Sequence, residues 1–292
     1  MNPFDLPGPE FLVFYLFLAG IVIAGVLGAR CLREGGDAPR IDSSDPYMIA
    51  YLRGGHQEAA RVAALSLVDR GLLKVKGEEI VTADPSAETL VRRPIEKAVL
   101  AWFKVPKEGL SVGDSLEAEA ACAKYRVELE RLGLLPDEEA KRTRFRLNAG
   151  AVLILAGVAL TKIAIALARG RTNVEFLAVL MVASAIAVCV VGNATRTVRG
   201  NAVLGHLKTR FKWLEDRAGS IFPGGETNEL AILAAVYGLG AVPAILFPHT
   251  KMLRPKKRTS GDGGCGSSCS SCSSCSSCGG GGCGGGCGGC GS

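Results

Sequence analysis

The sequence predicts a mainly α membrane protein: transmembrane helices, a small α+β winged-helix-like cytoplasmic domain and a disordered tail. Three observations predict it. Apolar runs long enough to cross a bilayer, with at most one charge each, recur along the 292 residues. A charge-balanced stretch with helix caps, a glycine pair and weak β alternation follows the first run. Eight of the 11 cysteines crowd into the last 32 residues. Apolar residues reach 48% and mean hydropathy is +0.26, yet aromatics are only 6%, so the excess is aliphatic and Ala-rich, as in membrane helices. No Gly-X-Y period is present, which excludes collagen. Cys31, Cys122 and Cys189 alone in the first 260 residues exclude a compact disulfide scaffold.

Residues 1–10 hold Asp5 and Glu10 but no Lys or Arg, and read as an external N-terminus. Residues 11–29 carry no charge; at 1.5 Å per residue they extend about 28 Å, close to the ~30 Å hydrocarbon core. A cleaved signal peptide would need a basic leader, which is missing, and Arg30 ahead of Cys31 spoils a lipoprotein site. A second span is predicted at 147–168, entered through Lys141, Arg142, Arg144 and Arg146, with Lys162 near enough to its end to snorkel. A short loop joins it to a third span at 174–192, so the two form an antiparallel hairpin. Residues 193–260 read as a membrane-proximal helical region. Within it the apolar run 230–247 is broken by Gly238, Gly240 and Pro243, and has two readings: a packed or membrane-associated helix, or a fourth span.

The positive-inside rule orients the chain. Arg30 and Arg33 follow the first span directly, which puts residues 30–146 in the cytoplasm of a multi-pass cell-membrane protein. Arg169 and Arg171 in the external loop are a mild exception. Arg196, Arg199, Lys208, Arg210 and Lys212 return the chain inside, and with three spans the tail is cytoplasmic too.

In the 30–146 domain 20 Lys and Arg balance 20 Asp and Glu, which argues against nucleic acid as a partner. Asp45-Pro46 opens a helix as N-cap and first-turn proline, with Tyr47, Met48, Tyr51 and Leu52 on one face; Gly54-Gly55 stops it. A second helix runs from Gln57 to Arg70, with Ala59, Val62, Leu65 and Val68 at three-residue steps, and Gly71 suits its left-handed end. Residues 72–83 alternate weakly about Gly77, as a hairpin does. Helix then hairpin is a winged-helix outline. A faint repeat follows: a helix over 94–103, then a longer one over 116–132 whose end, Leu132-Gly133-Leu134-Leu135, echoes Arg70-Gly71-Leu72-Leu73.

The stretch DPYMIAYLRGGHQEAARVAALSLVDRGLL resembles the opening of an uncharacterised family of bacterial membrane proteins. They share a leading span, a DPY-x-x-A-YLRGG segment, paired spans and a Gly/Cys-rich tail. The resemblance covers nearly the whole chain but implies no activity and no catalytic residue. This chain departs from it in the serines between its tail cysteines.

Residues 261–292 contain fourteen Gly, nine Ser and eight Cys, too little apolar side chain to build a core. Cys265, Cys269, Cys272, Cys275, Cys278, Cys283, Cys287 and Cys290 have a bite that zinc or another soft metal accepts. The folded knuckle that dedicated zinc sites place between cysteine pairs is missing. His56, His206 and His249 stand apart, no nucleophile-elbow or phosphate-loop motif is present, and Trp102 and Trp213 read as core or interfacial anchors. These features imply a non-enzymatic scaffold or partner-docking membrane protein, whose partners are the lipid bilayer and a cytoplasmic protein. The alternative is a soft-metal or thiol-redox handling membrane protein acting through its tail.

Overall fold

The computed structural model describes residues 8–254, apart from 38, 40, 43, 78, 85, 169–174, 222, 223, 225–227, 245 and 246. The eight tail cysteines therefore lie outside the described residues. Helix α1 (Gly8–Glu34) extends past both ends of the uncharged run. Helix α2 (Pro46–Asp69) begins where Asp45 accepts the Tyr47 N–H at 3.0 Å. Its backbone leaves the helix at Gly54 and Gly55, so α2 is two helical segments joined at a break. A three-stranded antiparallel sheet follows, in order β1 (Leu73–Lys76), β2 (Glu79–Thr82) and β3 (Lys107–Glu108). Between β2 and β3 lie α3 (Ala87–Leu90) and α4 (Pro94–Trp102).

The helix expected over 116–132 is divided at Cys122 into α5 (Leu116–Ala121) and α6 (Ala123–Arg131). The repeated ends share one geometry. Gly71 and Gly133 have φ of 73° and 68°. The next N–H in each case, from Leu72 or Leu134, reaches back five residues to Leu67 or Leu129 at 2.9 Å, the hydrogen bond of a Schellman end. Only the first unit is followed by a hairpin. After the second the chain enters α7 (Glu138–Ala168), then α8 (Glu175–Gly192), α9 (Val198–Arg210), α10 (Lys212–Asp216), α11 (Glu229–Tyr237) and α12 (Thr250–Leu253).

Among the described residues three helices, α1, α7 and α8, are long and apolar enough to cross a membrane. They pack on one another through Phe11, Tyr15, Ala19, Val26, Ala151, Leu155, Ala159, Leu177 and Val188. Tyr15 is fully buried between them; its hydroxyl donates to the Leu155 carbonyl at 3.3 Å and lies 3.1 Å from Ser184 Oγ. Lys162 Nζ sits 4.8 Å over the Phe11 ring, near the end of α7.

The remaining elements form a second core, and the division expected from sequence changes here. Residues 30–146 and 193–260 read as separate regions, yet Leu52, Val62, Leu65, Leu73, Val99 and Leu134 share one core with Leu204, Leu207, Leu230, Leu233, Val236, Phe247 and Leu253. Among the described residues the apolar run 230–247 holds the nine-residue helix α11, packed on α2, and a 3-10 turn at Leu239–Ala241. Its Leu233, Ala234, Ala235 and Val236 have no solvent exposure. A helix buried on every side loses the apolar–polar periodicity that marks an amphipathic one, so it imitates a span in sequence. Each fully buried Leu or Val contributes about 1.5–3 kcal/mol to such a core.

Candidate functional site

Three helix C-terminal ends meet where the apolar helices join the folded domain: those of α1, α8 and the first segment of α2. Each leaves carbonyls without intrahelical donors and the negative end of a helix dipole. Arginines occupy this place. Arg144, from α7, donates to Glu34 at 2.7 Å, to the Ala194 carbonyl at 2.6 Å and to the Arg196 carbonyl at 3.3 Å. Arg30 bonds the Val191 and Arg196 carbonyls and lies 3.7 Å from Glu34. Arg199 donates twice to the Gly35 carbonyl, at 2.7 and 3.1 Å.

Arg196 carries the network into the YLRGG segment by donating to the Arg53 carbonyl, the last of the first α2 segment. Arg53 pairs with Glu58, which also takes Arg61 at 2.9 Å. Burial first, and the neighbouring Arg53 second, push Arg196 below the usual arginine range. Burial likewise lowers Arg53, with Glu58 opposing it. Six guanidiniums thus share two carboxylates, and helix-end carbonyls provide most of the other acceptors.

Small residues let these groups approach. A Cβ at Gly192 would overlap the buried Asn148 amide, and one at Gly238 would overlap the Arg53 guanidinium. Thr197 ties α9 to the domain: it accepts from the Gly200 N–H at 3.0 Å and donates to the Gly133 and Leu134 carbonyls at 2.8 and 2.9 Å.

Of the residues singled out in the sequence, Gly54 and Gly55 lie at this junction. The histidines do not meet: His206 is exposed, and His249 packs edge-on against Phe247 with ring centroids 6.0 Å apart. Cys31 and Cys189 are exposed, while Cys122 is buried and its thiol is pushed up to about 12 by desolvation and then by Glu119. Trp102 donates to Ser111 Oγ at 3.2 Å beneath the Lys107 ammonium, and Trp213 is half-exposed. Among the described residues no group of three or more His, Cys, Asp or Glu is placed to hold a metal ion.

Sequence reasoning passed over Arg30, Arg144, Arg196 and Arg199 except as charges that orient the chain. Their partners are mostly backbone carbonyls, which leave no trace in residue identity. Compared with known protein families, curated proteins and solved structures, the chain matches none of them.

Proposed function

We propose that this chain is an integral membrane scaffold that holds one folded domain at the cytoplasmic face of the cell membrane as a docking platform for a protein partner, without catalysis of its own. The observation that carries this reading is the arginine junction. Charge-assisted bonds from Arg30 of α1 and Arg144 of α7 converge on the connection after α8, and Arg196 of that connection bonds the Arg53 carbonyl of α2, so the domain is fixed to its membrane helices instead of tethered by a linker. Rigid presentation suits docking, because less orientational freedom is lost on binding.

Shared packing of segments on both sides of the α7–α8 pair supports two crossings between them. The Lys and Arg distribution supports an external N-terminus. The α2–β1–β2 succession supports a winged-helix-like reading of the domain, used here for protein and not for nucleic acid. Likeness to the bacterial membrane family with the DPY-x-x-A-YLRGG segment is part of the same proposal.

A photo-crosslinker placed in intact cells at Leu116 or Val127, which are 80% and 64% exposed, tests the reading on the full chain. One discrete protein adduct is expected from each position, and lipid adducts only from Phe17 in α1. Absence of a discrete adduct from both domain positions overturns it.

A further inference from the structure

Away from the junction the structure has a recess of about 280 Å³, lined by Pro46, Tyr47, Arg70, Arg92, Arg93 and Glu96, with Leu90 and Asn228 at its rim. Its volume lies near the lower end of the range small-molecule pockets occupy, about 300–1,000 Å³, room for a metabolite and not for a folded partner. The polar groups are ordered from beneath. Glu96, 5% exposed, accepts from the Tyr47 hydroxyl at 2.8 Å and from Arg70 at 3.2 Å. Arg93 pairs with Asp45 at 2.7 Å and lies 5.0 Å over the Tyr47 ring. Arg92 is exposed and has no hydrogen-bond or ion-pair partner among the described residues.

The charges here have a different setting from those at the junction. There the guanidiniums face helix C-terminal ends and are consumed by carbonyls. In the recess three lining residues belong to helix N-terminal ends, Pro46 as the first residue of α2, Arg93 as the N-cap of α4 and Asn228 as the N-cap of α11, while Arg70 is the C-cap of α2. The α4 and α11 caps make no side-chain cap bond. The uncapped positive ends of α4 and α11 add to the three guanidiniums, against the negative end of α2 at Arg70 and the two opposing charges of Glu96 and Asp45. We infer that this recess binds a small organic anion through its phosphate or carboxylate group, with Arg70 and Arg92 as the contacting guanidiniums and Arg93 holding the rim in place. This site is independent of the docking reading; either stands if the other fails.

Isothermal titration of the full chain in an uncharged detergent, with inorganic phosphate in one arm and succinate in the other, tests the inference. Saturable one-to-one binding of at least one probe is expected below ~10 mM. Phosphate binding more tightly identifies a phosphorylated ligand, and succinate a carboxylate. Arg92→Gln, at an exposed position without partners to lose, weakens binding at least about tenfold, and Arg92→Glu abolishes it. Glu96→Gln tightens it, because a buried opposing charge is removed; a merely structural Glu96 would not give that sign. Arg131→Gln, at an exposed arginine on α6, leaves it unchanged. Failure of both probes to saturate, or equal weakening by Arg131→Gln and Arg92→Gln, overturns the site.

Discussion

Arg144 and Glu34 set the residue-scale energetics, since their side chains are 7% and 8% exposed. Pairing two ions out of water yields little net stability, but removing one partner leaves a desolvated charge and costs about 3–5 kcal/mol. Arg144→Ala should therefore lower the unfolding midpoint of the detergent-solubilised chain strongly. Arg144→Ala with Glu34→Ala together should cost less than the sum of the single changes, and strictly additive losses would contradict the pairing. His249 gives a pH signature. Its burial holds the ring below its ordinary value of 6.5, against the opposing charge of Asp69. The unfolded chain thus takes up a proton before the folded one does. The stability His249 confers is complete above pH 6.5 and is lost as pH falls below it. Thermal unfolding between pH 7.5 and 5 should show a smaller decline for His249→Gln than for the parent chain. Parallel curves would contradict the assignment.

At the scale of elements, the break in α2 is the feature whose sequence signal and structure agree in detail. Gly55 has φ of 75° and ψ of −165°, a region open essentially to glycine alone that costs other residues about 1–3 kcal/mol. Gly20 in α1 is helical, with open space around a Cβ. Gly55→Ala should destabilise by about that amount and Gly20→Ala should not, measured side by side by thermal melts. Caps, glycine ends and alternation made α2, the β1–β2 hairpin and α4 legible. Length and hydropathy made α1, α7 and α8 legible. The identity of α11 was hidden, because a helix enclosed by its own domain and one enclosed by lipid present the same aliphatic surface. The arginine junction and the recess were hidden for another reason: their parts are distant in the chain, at 46, 70, 92 and 228 for the recess. The tail was legible only as composition. Its Gly/Ser-rich sequence supplies no apolar side chains to pack around a bound metal, which opposes tight binding. The full chain purified anaerobically under reducing conditions should hold no stoichiometric zinc, copper or iron. Stoichiometric metal that vanishes on deleting 261–292 would replace the docking reading with a metal-handling one.

For the whole molecule, the decisive feature is that one core is assembled from two chain segments with a pair of apolar helices between them. Residues that share a core lie on one side of a bilayer, which supports the proposal that α7 and α8 cross and return. Residues 31–146 alone lack Leu204, Leu207, Leu230, Leu233 and Phe247, and cannot complete that core. In the same proposal helix α1 adds one further crossing, which puts the N-terminus opposite the domain. Basic side chains support the proposed orientation: Arg30, Arg33, Lys141, Arg142, Arg144 and Arg146 flank the domain ends of the apolar helices, while residues 1–10 have none. After α12 the chain continues through Lys256, Lys257 and Arg258, each attracted to anionic headgroups by about 1 kcal/mol near the surface. The tail is therefore expected inside, where thiols stay reduced. A chain with Cys31, Cys122 and Cys189 replaced by alanine leaves only the eight tail cysteines to report. A membrane-impermeant maleimide should label it after lysis and not in intact cells. Labelling of intact cells would invert the molecule, exposing the domain outside and making disulfides the default state of the tail.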